Sequence, residues 1–186
     1  MTLTYTLTFL SDWHCGSGLS GGAEADAIVI KDASNLPYVP GKTIKGLISD
    51  ALHEIKELST IVPDTAISTL LTTSESKPAA FFSNAELSAE EKEDIGEGLS
   101  HFFYRNIAST QIESTTGTAK PHSLRVKEVT IPVTLTGTVS GVNSEELKVL
   151  EMAFKWIRCL GVNRNRGLGR CKFVITSTTQ QNGETI

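Results

Sequence analysis

The sequence predicts an α+β domain, a four-stranded antiparallel sheet carrying helices on one face, and three observations support it. Leu3, Tyr5, Leu7 and Phe9 alternate with Thr2, Thr4, Thr6 and Thr8, the period of a half-buried strand made of good strand formers. Ile44, Leu47, Ile48, Ala51, Leu52 and Ile55 follow the spacing of an amphipathic helix. Leu147, Leu150, Ala153, Phe154, Ile157 and Leu160 repeat that spacing near the C-terminus, ahead of a strand-like run at 170–178.

The bulk properties limit the function classes. A chain of 186 residues is one domain with insertions and can bury a real core. Hydrophobic content of 39% and a mean hydropathy of −0.06 describe a globular chain. No run approaches the roughly 20 apolar residues of a membrane span, and the N-terminus reads as neither a basic leader nor an apolar block. Cys15, Cys159 and Cys171 are odd in number and lack CxxC or zinc-finger spacing, so free thiols in the cytoplasm are expected. Net charge is −4, yet Met152 to Gly183 carries no acid, only Lys155, Arg158, Arg164, Arg166, Arg170 and Lys172. A local basic face on an acidic chain suits a polyanion held on one side.

The remaining elements follow in order. Ser11 to Gly22 is a glycine- and serine-rich loop holding Trp13 and His14, and in such a loop a lone histidine is ordinarily solvated. Asp26 to Lys31, DAIVIK, reads as a strand or extended arm, and Asp32 to Pro40 as turns leading into a helix over Thr43–Leu58. Ile61 to Glu75 is ambiguous, Ala79 to Asn84 is a short strand, and acidic Ser88 to Leu99 is a solvated segment. Tyr104 to Ile112 and Leu124 to Val139 form a long β excursion, with Pro132 at an edge or bulge. Asn143 and Glu146 make a capping box for a helix ending at Gly161. The tail 179–186 is loose. The resulting order is that of a ferredoxin-like/RRM-like sheet, a common RNA-binding surface.

Two stretches carry the chemistry. In LPYVPGKTIKG at 36–46, a free Gly41 amide at a helix start beside Lys42 and Lys45 would form an anion site. It is not a nucleotide P-loop, because the required first glycine is Leu36 and a proline precedes Gly41. In GVNRNRGLGR at 161–170, Arg164, Arg166 and Arg170 surround Gly167 and Gly169. Glycine permits close backbone approach to a ligand, and arginine forks onto phosphate.

Taken with the SDWHCGSG loop, these stretches resemble the RAMP superfamily of CRISPR effector proteins, whose hallmark is the last glycine-rich loop. ADAIVIKDASNLPYVPGKTIKG resembles the backbone subunits of type III complexes, and RNIASTQIESTTGTAKPHSLRVKEVTI resembles the family's thumb hairpin. The resemblance spans about Leu3 to Phe173. It implies one domain over 1–178, with a thumb at about 110–125 and a variable insertion at about 59–100. It also implies a subunit bound to guide (CRISPR) RNA, beside copies of itself or related subunits and the complex's large and small subunits. Target RNA would be cut at intervals by Asp26, the match to the family's catalytic aspartate, with a divalent metal, Mg2+, held there. His14 would lie near the guide backbone. Lys42, Lys45, Arg125, Arg164, Arg166, Gly167, Gly169 and Arg170 would contact RNA.

The chemistry stands on its own terms, since a carboxylate can hold a divalent ion or help take a proton when a 2′-OH lines up behind its own phosphate. Three rivals remain: a non-catalytic or guide-end-binding subunit, a processing endonuclease using His14 with Tyr38 or Tyr104, and a protein with no RNA role. The chain is short for a backbone subunit, and the acidic segment at 86–97 has no counterpart in this reading.

Overall fold

The structure is a computed structural model, and it describes residues 1–22, 24–59, 62–75, 77–95 and 98–180. Strand β1 (Thr2–Phe9) leads through a long loop and arm to helix α1 (Gly41–Leu58). Helix α2 (Asp64–Leu71), strand β2 (Phe81–Phe82) and helix α3 (Ala89–Ile95) follow. Strands β3 (Tyr104–Ser109), β4 (Arg125–Thr130) and β5 (Thr134–Ser140) precede helix α4 (Ser144–Trp156) and strand β6 (Cys171–Thr179). Of the strand or extended arm expected at 26–31, the structure has the extended arm, joined by isolated bridges, and the end of the expected tail, 181–186, lies outside the described residues.

The sheet order is β2-β5-β1-β6, the expected split-βαβ arrangement with the first and third sheet strands in the centre. β1 runs antiparallel to both neighbours, pairing Tyr5 with Gly137 on one side and Ile175 on the other. Leu3, Tyr5, Leu7 and Phe9 are buried, while the intervening threonines stay half-exposed. The threonine face is the open one, and the apolar face packs against helices because only there is hydrophobic surface left to cover. Ile44, Ile48, Ala51, Leu52 and Ile55 of α1 meet Val149, Leu150, Ala153 and Phe154 of α4 in one core. Phe154 stacks on Phe173 at 4.8 Å. The Tyr5 ring crosses to Gly137, where an added Cβ would lie 2.4 Å from its hydroxyl.

Three expectations change. The second arm of the β excursion breaks at Ile131–Val133, so β4 leaves the sheet and pairs with β3 as a separate hairpin. Proline lacks the N–H that would continue the ladder. α4 has its capping box, with the Asn143 side chain on Glu146 N and the Glu146 side chain on Asn143 N, but stops at Trp156. The chain then extends so that Cys159 bridges Arg170, and Gly161 serves the loop beyond. Finally, the Gly41 amide is not free: it donates to Asn84 Oδ1 at 3.0 Å. An added Cβ at Gly41 would lie 2.1 Å from Phe82 O, so this glycine lets α1 start against β2.

Candidate nucleic-acid interface

The hairpin β3–β4 is inserted between the second and third sheet strands, and its base is fastened to two neighbouring segments. One is the loop after β1. Trp13 is fully buried and stacks on Phe9 at 4.1 Å, which sets the course of the loop. Its backbone exchanges hydrogen bonds with Thr130, and its Nε1 donates to Ile131 O at 3.1 Å. His14 is 4% exposed and its Nδ1 meets Glu128 O at 2.7 Å. It is therefore not the solvated loop histidine its sequence context suggests; burial makes it a clamp between loop and hairpin. Arg105 of β3 pairs with Asp12.

The second segment is the arm Ala25–Lys31, which runs along β4. Asp26 N donates to Val126 O at 2.8 Å, and Val126 N donates back to Asp26 Oδ2 at 2.8 Å. The Asp26 side chain is exposed, with one carboxylate oxygen committed to the hairpin. Two residues on, Glu128 N donates to Ala27 O at 3.0 Å. The Glu128 carboxylate accepts from Val29 N at 3.1 Å and from Lys31 Nζ at 2.7 Å. Lys31 also lies over the Tyr104 ring, 4.0 Å from its centroid, a cation–π contact. The Tyr104 hydroxyl donates to Asn35 O at 2.7 Å. Burial, then the charges of Glu128 and Asp32, push its pKa well above the usual phenol value. Sequence reading missed Glu128; an acid in the middle of a strand was the available signal, but its partners lie about a hundred residues away.

The glycine-rich loop closes on the same centre. Asn163 has φ 57°, Arg164–Arg166 form a 3-10 turn, and Gly167 and Gly169 have φ 86° and 71°. Gly169 N donates to Asp12 O at 2.7 Å, and Val162 N to His14 O at 3.1 Å. An added Cβ would lie 1.9 Å from Leu160 O at Gly169 and 2.4 Å from His14 O at Gly161. These two glycines thus serve close backbone packing within the chain. Gly167 alone of the three has open space around it.

Arg164, Arg166, Arg170 and Lys42 are exposed and Lys45 half-exposed; among the described residues none has an ion pair or side-chain hydrogen bond. Arg125 is exposed and donates to Leu124 O at 3.0 Å. Among the described residues, the two basic stretches line different grooves. Lys42 faces a groove with Phe81, Asn84 and Glu86, and Arg164 one with Glu54 and Trp156. The loop Asp12–Gly16 links them, reaching the glycine-rich loop through His14 O and α1 through a Cys15–Thr43 side-chain contact.

These features define a class: a ferredoxin-like α+β domain with a clamped β-hairpin insertion and a basic glycine-rich loop before the last strand. The RAMP superfamily model matches residues 6–172, and the chain belongs to that superfamily. Its fold is also that of a chain in the cryo-EM structure of the type III-B Cmr-beta bound to cognate target RNA. The TM-score is 0.71 at 13% identity, over 94% of this chain and 97% of that one. The apo state of the same assembly gives a TM-score of 0.69 at 12% identity, with the same coverage. No curated protein matches the chain. Among the described residues, no helix is long and apolar enough to cross a membrane.

Proposed function

We propose that this chain is a guide-RNA-binding backbone subunit of a type III CRISPR effector complex that cuts complementary target RNA at Asp26. Superfamily membership and the likeness to chains of an assembly that binds cognate target RNA support the setting. One observation carries the assignment of Asp26: its carboxylate is exposed, yet its position is fixed by the paired hydrogen bonds with Val126. A catalytic group needs that combination of access and fixed placement. Lys42, Lys45 and the arginines of the 161–170 loop supply unpaired cations for guide phosphates, so binding is sequence-independent and weakens with salt. The hairpin is the thumb, facing the duplex and the next subunit. The large and small subunits complete the assembly.

Among the described residues, no three metal-ligating side chains cluster. Asp26 with one oxygen left over still fits magnesium, which is commonly held by one or two carboxylates with phosphate and water oxygens. Such an ion would offset charge on the reacting phosphate. Asp26 itself would hold the ion or accept the 2′-OH proton.

The rival, a non-catalytic subunit, draws on the same bond, since fastening the arm to β4 is a sufficient structural role for Asp26. The processing-endonuclease reading is weakened, because His14 is buried with Nδ1 engaged and the Tyr104 hydroxyl is committed to Asn35. The deciding experiment reconstitutes the complex with guide and labelled complementary RNA and compares wild type with Asp26→Ala, with magnesium and with EDTA. Evenly spaced cuts that vanish in the variant while target binding persists support the proposal; identical cutting by both proteins rejects it.

A further inference from the structure

The arm that carries Asp26 joins the hairpin through a short pairing whose register the backbone alone sets weakly. Among the described residues, the arm and β4 share one parallel bridge, Ala27 with Lys127. Continued, a parallel ladder would bring Val29 N to Glu128 O and Thr130 N to Val29 O. Both β4 groups are already taken: Glu128 O by His14 Nδ1 at 2.7 Å, and Thr130 N by Trp13 O at 2.8 Å. The loop after β1 thus stands where the ladder would run on, and a side chain makes the connection instead. Glu128 Oε2 accepts from Val29 N at 3.1 Å, and Oε1 from Lys31 Nζ at 2.7 Å. The Lys31 and Glu128 side chains are 27% and 15% exposed, so the carboxylate depends on its counter-ion. Tyr104 of β3 holds the ammonium from another side, its ring centroid 4.0 Å away and its hydroxyl tied to Asn35 O in the turn after the arm. The other edge of the arm bonds to the loop, through Ile30 N to Cys15 O and Ser17 N to Ile28 O. That edge reaches the hairpin indirectly, through Trp13 and His14.

From this we infer that Lys31 is a positioning residue for Asp26: by locking the arm to Glu128 it fixes the register that sets where the Asp26 carboxylate stands. The inference rests on the reading of Asp26 as the cutting group. A slip of one residue moves the arm by about 3.3 Å and turns its side chains to the opposite face. For a group that must line up with a reacting 2′-OH, a misplacement of about 1 Å costs on the order of a hundredfold in rate. The charge of Lys31 is already engaged by Glu128 and the Tyr104 ring, so Lys31 acts through the arm and not on the RNA.

The test compares Lys31→Met, Lys31→Arg, Tyr104→Leu and Asp26→Ala in the reconstituted complex with guide and labelled complementary RNA. It measures single-turnover cutting at saturating target, beside target affinity. Methionine keeps the length of the side chain and removes its charge, whereas arginine keeps both the ion pair and the contact with the ring. Lys31→Met is expected to cut about tenfold more slowly or worse at unchanged target affinity, and Lys31→Arg to restore most of the rate. Tyr104→Leu, which leaves the ion pair, is expected to lose about threefold, the scale of a cation–π contact. Amide hydrogen exchange on the full chain gives a readout apart from cutting: the Val29 amide should exchange faster in Lys31→Met, while those of β1 and α1 keep their protection. Wild-type cutting by Lys31→Met overturns the inference, as does a loss that arginine does not restore or that weaker target binding accounts for. Unchanged exchange at Val29 overturns it as well. If Lys31→Met fails to fold, Tyr104→Leu decides, and a wild-type rate there overturns the inference. If Asp26→Ala cuts as wild type does, the reading of Asp26 fails and this inference falls with it. If Asp26→Ala is inactive while Lys31→Met is fully active, the inference alone fails.

Discussion

Alanine at Gly169 and at Gly167 should have very different effects, although both lie in one motif with similar backbone angles. At Gly167, with φ 86° and nothing within 4 Å of an added Cβ, alanine meets only the left-handed backbone cost of roughly 1–2 kcal/mol. At Gly169 the same cost applies, and the new Cβ would also lie 1.9 Å from Leu160 O. Real contacts of that kind do not fall below 3.0 Å, so the backbone must part by more than an ångström. That opens the hydrogen bond from Leu160 N to Gly169 O and endangers the one from Gly169 N to Asp12 O, each worth about 1 kcal/mol net. The sum at Gly169 is roughly 3–4 kcal/mol, a large share of a typical domain's total stability of roughly 5–15 kcal/mol. Urea unfolding followed by fluorescence reads this directly, because Trp13 is fully buried and stacked on Phe9. If Gly169→Ala stays within about 1 kcal/mol of wild type, or if Gly167→Ala costs as much, the packing argument is wrong. The glycines would then serve a ligand instead.

Other outcomes follow from single contacts. Tyr5→Phe should stabilise the fold by about 1 kcal/mol in the same assay, because the Tyr5 hydroxyl is buried without a partner among the described residues. Asp26→Asn retains an oxygen for Val126 N, so the melting temperature should hold while target cleavage by the reconstituted complex is lost; a large drop in stability would point to a structural aspartate. Glu146 is buried at the start of α4. Burial pushes its pKa up, but hydrogen bonds from Lys77 and the Asn143 amide, with the Lys77 charge, more than offset this and hold it below the ordinary 4.5. Its contribution is therefore present above that value and is lost as pH falls through the lower folded value, and Glu146→Gln should flatten stability against pH in that acidic range. Of the three cysteines, Cys159 is half-exposed, while Cys15 and Cys171 are buried, with burial raising both thiols and pushing Cys171 to about 12. One thiol per chain should react quickly with a disulfide reagent at pH 8, and three quick ones would contradict the packing.

The sequence by itself determined the elements whose periodicity is local. The alternation in β1, the apolar stripes of α1 and α4, and the capping box at Asn143 are all written within one or two turns of chain. Those elements and their order fixed the sheet, because apolar faces must meet. Superfamily motifs were legible for the same reason, as short runs such as GVNRNRGLGR. What the runs do was not legible. Gly41 and Gly169 look like ligand-binding glycines in sequence, but in the fold each lies against a backbone carbonyl from another segment. His14 reads as a loop residue and is buried, because Glu128, more than a hundred positions away, takes its Nδ1. Glu128, Lys31 and Tyr104 carry no pattern of their own; only the docking of hairpin on arm brings them together. Periodicity records which face of an element is buried. Which distant backbone or charge arrives at that face is decided by tertiary packing.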